Sequence, residues 1–128
     1  MFQRDYIMRA VQQAAEALAR ALRALLKKQP QEAEQALAEG YAALGIDREL
    51  LLMLDAATLR RQLGEDEKIE MAARLMLGEA ELTLAKGAAG GAARRWRAAA
   101  RLAETLGTMP ETLKAELDRV QRVLGVER

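Results

Sequence analysis

Residues 67–106 read EKIEMAARLMLGEAELTLAKGAAGGAARRWRAAARLAETL. The first half carries two apolar stripes at helical spacing: Ile69, Ala73, Met76 and Ala80, and beside them Met71, Leu75, Gly78, Leu82 and Ala85. Side chains three and four apart share a helix face, so two adjacent stripes predict a helix from about Glu67 to Lys86 that is covered on more than one side. Asp66 precedes it as a cap. The glycine-rich segment Gly87 to Gly91 interrupts the pattern, and a further helix then runs to about Leu106. A short connection makes neighbouring helices antiparallel, so this stretch reads as a helical hairpin.

The rest of the chain has a matching composition. Among 128 residues Ala occurs 27 times and Leu 21, against 12 for Val, Ile and Thr together. Unbranched side chains lose little rotamer freedom in a helix, which argues for an all-α chain and against a β fold. The length suits a single domain, residues 1–128, with one core.

Local signals bring the expected number of helices to about six. The first helix starts after Asp5 and runs to about Lys28, where Gln29-Pro30 stops it. Its core face is the stripe Ile7, Val11, Ala14, Leu18, Leu22 and Leu25. The second spans about Gln31 to Leu44, and the third about Arg48 to Leu63 behind an Asp47 cap. Thr108 and Glu111, with capping-box spacing around Pro110, open the last, whose seam is Leu113, Leu117, Val120 and Leu124. The pairs Leu44-Gly45, Leu63-Gly64, Leu106-Gly107 and Leu124-Gly125 read as C-terminal caps, since glycine enters the left-handed conformation freely. The expected hairpins are second with third and fourth with fifth, flanked by the terminal helices. Five consecutive apolar residues, Leu50 to Leu54, imply that the third helix is covered on several sides.

The chain contains no Cys, His, Ser or Asn. Disulfides, Cys and His metal ligands, Ser and Cys nucleophiles and an imidazole base are therefore excluded, so no cofactor and no enzymatic activity are expected. A net charge of +1 supplies no global field for nucleic acid or anionic lipid. The longest strongly apolar run, Leu50 to Leu54, is far short of the ~20 residues that span a bilayer. The charged start Met-Phe-Gln-Arg-Asp-Tyr lacks an apolar signal core, which makes a cytoplasmic location the expectation.

Leu37, Gly40 and Leu44 share their spacing with Leu75, Gly78 and Leu82, at an offset of 38 residues. A glycine inside a helix costs ~1 kcal/mol relative to Ala, so its recurrence predicts close approach of a neighbouring helix. Leu77-Gly78, followed by Ala92, Trp96 and Ala99, resembles the tetratricopeptide repeat, with Glu81 where that repeat favours Tyr. The resemblance implies stacked antiparallel hairpins and a protein partner. The opening Met1-Phe2-Gln3-Arg4-Asp5-Tyr6-Ile7-Met8-Arg9 resembles a family of small uncharacterised bacterial proteins that begin Met-Phe-Gln-x-Asp-Tyr-Ile-Met-Arg. That likeness implies a small helical protein and transfers no catalytic residues. Phe2, Tyr6 and Met8 are expected to cluster at the foot of the first helix.

Arg94, Arg97 and Arg101 share one face of the fifth helix, with Arg95 beside them. Such a stripe suits an anionic partner, although Glu67, Glu70, Glu79 and Glu81 on the preceding helix are placed to neutralise it. With the apolar Leu50, Leu51 and Met53, these three arginines form the candidate interaction surface. Residues Ala99 to Leu117 imitate a DNA-binding helix-turn-helix, but Glu111 and Asp118 on its second helix repel DNA. Glu67 and Glu70 are a candidate magnesium pair of all-helical hydrolases, yet no Glu-x-x-Asp answers them, and Glu70 and Arg74 have ordinary i,i+4 spacing. Lys86 to Gly91 lacks the Gly-Lys-Thr/Ser ending of a phosphate loop. The expected function is a non-catalytic protein-interaction or self-association scaffold, in the simplest case a homodimer. The alternatives are a DNA-binding protein and a magnesium-dependent hydrolase.

Overall fold

The structure, a computed structural model, describes residues 2–127. Among these residues there are seven helices and no strand: α1 (Phe2–Leu26), α2 (Pro30–Ala43), α3 (Arg48–Leu51), α4 (Ala56–Leu63), α5 (Asp66–Ala85), α6 (Ala89–Ala103) and α7 (Glu111–Leu124). The chain is all-α, as its composition implies. The extra helix arises because the expected Arg48–Leu63 element is broken. Asp47 accepts the Glu49 amide at 2.9 Å and Asp55 accepts the Thr58 amide at 2.7 Å, so two caps start two helices.

The break also overturns the expected burial of Leu50 to Leu54. A helix of one turn can turn one side chain inward, and Leu51 takes that position at 1 % exposure. Leu50, Leu52 and Met53 face solvent at 48 %, 45 % and 78 %.

Of the two expected hairpins, the fourth with fifth is present as α5 with α6, while the second pairs with the first and not with the third. The hairpins are α1 with α2 and α5 with α6; α5 packs on both α1 and α2, and α7 packs on both α5 and α6. The short α3 and α4 lie in the connection between the two hairpins, α4 resting on α5 and α6. Helix α5 is central, with Ile69, Ala72, Ala73, Leu75, Met76, Leu77, Ala80 and Leu82 all buried. In α7 the seam Leu113, Leu117 and Val120 is buried as its spacing predicts.

The α1–α2 seam is built from small side chains. Ile7, Ala10, Ala14, Ala17, Ala21 and Ala24 are buried, at steps alternating between three and four, while Val11, Leu18, Leu22 and Leu25 are half-buried beside them. Ala33, Ala36 and Gly40 of α2 are buried in turn, so the two backbones approach closely and the leucines are displaced to the edge of the contact. The two internal glycines then interlock α2 with α5. A Cβ on Gly40 would lie 2.7 Å from Leu75 Cδ2, and one on Gly78 would lie 3.1 Å from Leu18 Cδ1 of α1 and 3.2 Å from Leu37 Cδ2 of α2. Leu75 thus fills the gap at Gly40, and Leu37 together with Leu18 fills the gap at Gly78. The repeated Leu-x-x-Gly motif marks two helices that face each other, not equivalent positions in successive hairpins.

Gly45 and Gly125 cap α2 and α7 with φ of +79° and +68°, and Ile46 and Val126 donate back to Tyr41 and Gln121 as the Schellman arrangement requires. Gly107 caps nothing, because α6 already ends at Ala103 and residues 104–110 form the connection to α7. Tyr6 and Met8 are exposed and so form no packed cluster, and the Phe2 side chain lies outside the described residues.

Candidate interaction surfaces

The segment between the hairpins is fixed by one buried charge. Glu79 of α5 is 3 % exposed, and Arg48, the first residue of α3, grips both its oxygens: Nε to Oε1 at 2.8 Å and Nη2 to Oε2 at 2.7 Å. The remaining guanidinium nitrogen donates to Glu34 of α2 at 2.9 Å, and Lys86 donates to the second Glu34 oxygen at 2.8 Å. These two cations, Lys86 foremost, hold the Glu34 carboxyl below the usual carboxylate range. The Tyr41 hydroxyl points at Glu79 from 3.5 Å; full burial, followed by the Glu79 charge, pushes its ionisation well above the usual tyrosine value. A fork-to-fork pair of this kind is geometrically specific, so it locks α3 onto α2 and α5.

Once α3 is held, the turn after it faces α6 across a cleft of about 340 Å³. Leu52, Leu54 and Leu59 form one wall, and Arg94, Arg95, Arg97, Ala98 and Arg101 the other. Of the predicted surface, Arg94, Arg97 and Arg101 line the cleft, whereas Leu50, in α3, and Met53, in the turn after it, are exposed but do not line it; their neighbours Leu52 and Leu54 do. Leu51 does not contribute, being a core residue.

The expected neutralisation of these arginines does not occur. Glu67 pairs with Arg4, Glu70 with Arg74, Glu79 with Arg48 and Glu81 with Arg119. All four carboxylates are thus engaged by other arginines, although Glu79 also lines a small cleft together with Arg95. Among the described residues Arg94 and Arg101 have no ion pair or hydrogen bond, and Arg97 only reaches the Glu127 carbonyl at 3.5 Å. Arg95 donates from one terminal nitrogen to the Gly91 carbonyl at 3.1 Å, leaving its buried Nε without a partner. The cleft's single carboxylate, Asp55, is held below the usual range chiefly by the Thr58 amide it caps.

A second surface was not foreseen. Two adjoining clefts of about 440 and 430 Å³ run between α1 and α7 over α5. Leu18, Leu22 and Leu77 line the first, and Leu22, Leu25, Leu26, Leu84 and Val123 the second. Leu26 is 85 % exposed and Val123 54 %. The charged groups here are paired among themselves: Arg119 holds Glu81 at 2.7 Å and Glu116 at 3.1 Å, and Arg74 holds Glu70 at 2.9 Å. Reading Leu18, Leu22 and Leu25 as the α1 core hid this groove. The alanine row beside them carried the signal.

The other candidate sites resolve into ion pairs and loops. Glu67 and Glu70 are each held by an arginine, and among the described residues no group of three or more acidic, His or Cys side chains is placed to hold a metal ion. In the helix-turn-helix likeness of Ala99 to Leu117, the turn is the seven-residue connection 104–110, and Thr112 accepts a hydrogen bond from Arg74 at 2.7 Å. The Gly87–Gly91 segment is shorter as a loop than its composition suggests, with α6 already under way at Ala89. Among the described residues no helix is long and apolar enough to cross a membrane. Compared with known proteins, the chain matches no family model, and no curated protein and no solved structure is significantly similar to it.

Proposed function

We infer that the chain is a non-catalytic, tetratricopeptide-like helical scaffold that acts by self-association. The hairpin order supports the repeat-like reading. In a stacked array the first helix of each unit packs on both helices of the unit before it, as α5 does on α1 and α2 and as α7 does on α5 and α6. The single observation that carries self-association is the apolar groove between α1 and α7, in which the charged side chains already satisfy one another. Such a groove asks for an apolar occupant without demanding charge. Its two walls end in exposed leucine and valine, Leu26 on α1 and Val123 on α7. A two-fold pair places each of two such patches on its counterpart in the partner, so a second copy covers both at once.

Sedimentation equilibrium tests this. The wild-type chain is expected to dimerise, and Leu26→Glu and Val123→Glu are each expected to shift it to monomer with unchanged helicity. A wild-type monomer at millimolar concentration overturns the reading, as does a dimer indifferent to both substitutions.

A further inference from the structure

The cleft between the α3–α4 turn and α6 shares no lining residue with the self-association groove, and it is different in chemistry. Four arginines line it against one carboxylate that is already engaged as a helix cap. Elsewhere in this chain, arginines at helix contacts are met by glutamates: Arg48 by Glu79 and Glu34, Arg74 by Glu70, Arg119 by Glu81 and Glu116. Here, among the described residues, Arg94, Arg97 and Arg101 are met by no carboxylate, and the buried Nε of Arg95 has no acceptor. The opposite wall is aliphatic, and its Leu52, with the neighbouring Leu50 and Met53, is held in water.

We propose that this cleft docks an acidic amphipathic peptide segment of another protein, carboxylates to Arg94, Arg97 and Arg101 and a leucine-class side chain against Leu52 and Leu54. The spacing of the three arginines, steps of three and four along α6, spreads them over about 10 Å, the rise of two helical turns. A helical partner with Asp or Glu at matching steps presents its carboxylates at the same interval. Guanidinium and carboxylate pair in a two-pronged geometry that fixes orientation, while apolar burial against the leucine wall supplies the affinity that charge in water does not. A nucleic acid fits less well. The lining has no aromatic ring on which a base could stack, and the chain's net charge of +1 gives no extended field along which a phosphate backbone could lie.

Fluorescence anisotropy with defined probes tests the proposal. The probe is a labelled helical peptide of about fifteen residues carrying Glu at i, i+3 and i+7 and Leu between them. It is compared with the same peptide with Gln for Glu, with a duplex oligonucleotide and with a single-stranded one. The acidic peptide is expected to bind, and the Gln version to bind about tenfold more weakly or not at all. The Arg94→Ala, Arg101→Ala double variant is expected to lose the acidic peptide, and Leu52→Asp to weaken it. All these positions are exposed, so circular dichroism should match wild type. Leu26→Glu, which tests the groove, should leave peptide binding intact, so failure of one surface is read separately from failure of the other. Equal binding of the Glu and Gln peptides, retention by the arginine double variant, tighter binding of either oligonucleotide, or no binding of the acidic peptide would each overturn the proposal.

Discussion

Arginine plays two different parts on the two sides of α3. On one side Arg48 reaches down to a carboxylate that water barely touches and closes a chain of charges from Lys86 through Glu34 to Glu79. On the other, Arg94, Arg97 and Arg101 stand along α6 with no carboxylate answering them among the described residues. Both sets belong to an arginine-rich helical chain, and both looked alike in the sequence. The difference lies in which partners the α5 glutamates find. Glu67 pairs with Arg4 of α1, Glu79 with Arg48 of α3, Glu81 with Arg119 of α7 and Glu70 with Arg74 of α5 itself; Glu79 also shares a small cleft with Arg95, but among the described residues none of the four pairs with Arg94, Arg97 or Arg101. An arginine that meets a buried carboxylate is architecture, and one left without it is free to meet something else.

The sharpest way to break this comparison is Arg48→Ala. It leaves the Glu79 side chain, 4 % exposed, without its counter-ion, and uncompensated buried charges cost 3–5 kcal/mol. Water can enter where the guanidinium was, so we expect a loss of about 3 kcal/mol in urea unfolding. Replacing both residues of the pair with apolar side chains should recover most of it. Next comes Glu81→Gln, which weakens the half-exposed bridge from α5 to Arg119 on α7. Its expected cost is about 1 kcal/mol, reduced further in high salt.

Acid should act on the carboxylates already engaged in the fold, Asp55 at its helix cap included. Glu34 and Glu67 are both held below the ordinary carboxylate range by their cations. The stability they contribute is complete above the unfolded value of about 4.3 and is lost as pH falls through the lower folded value. Urea midpoints should therefore stay level from pH 8 to about 5 and decline below about 4, with a shallower decline in Arg48→Ala. The smallest effect is expected for Arg94→Ala and Arg101→Ala, which should change stability by no more than about 0.5 kcal/mol in the same assay. A large loss at either position would show that the stripe is structural after all.

Much of the helical framework was legible because its signals are local. Apolar spacing in residues 67–85 placed α5 at the centre, and Leu-Gly followed by an apolar residue marked the ends of α2 and α7. Asp55 was an equally local signal, overridden by five apolar letters in a row; a capping residue one position beyond them splits the element and exposes three of the five. The fourth-with-fifth hairpin is present as α5 with α6, but the second-with-third pairing fails, because short loops join α2 to α3 and α5 to α6 alike and nothing in a loop's length says that a one-turn helix is too small to cover its neighbour. Of the candidate site, the arginine stripe and the apolar run were visible. That they share a cleft was not, since it depends on Arg48 finding Glu79 across 31 positions of chain. The close approach predicted for Gly40 and Gly78 is present, but its geometry, leucine into glycine in both directions, required knowing that α2 and α5 lie antiparallel.

The sole tryptophan of the chain, Trp96, sits at 1 % exposure on α6, and its indole N–H donates to the Leu117 carbonyl of α7 at 2.9 Å. One ring therefore spans the seam between the second hairpin and the last helix, far along the chain from the alanine seam of α1 and α2. Its emission is an optical gauge of that single joint. If α7 swings away, the indole meets water and its fluorescence shifts to the red while helical ellipticity barely changes. If the first hairpin frays instead, ellipticity falls and the indole stays silent. The molecule thus comes with a natural probe that can tell loss of its end helix from loss of its beginning, without a dye or an added label.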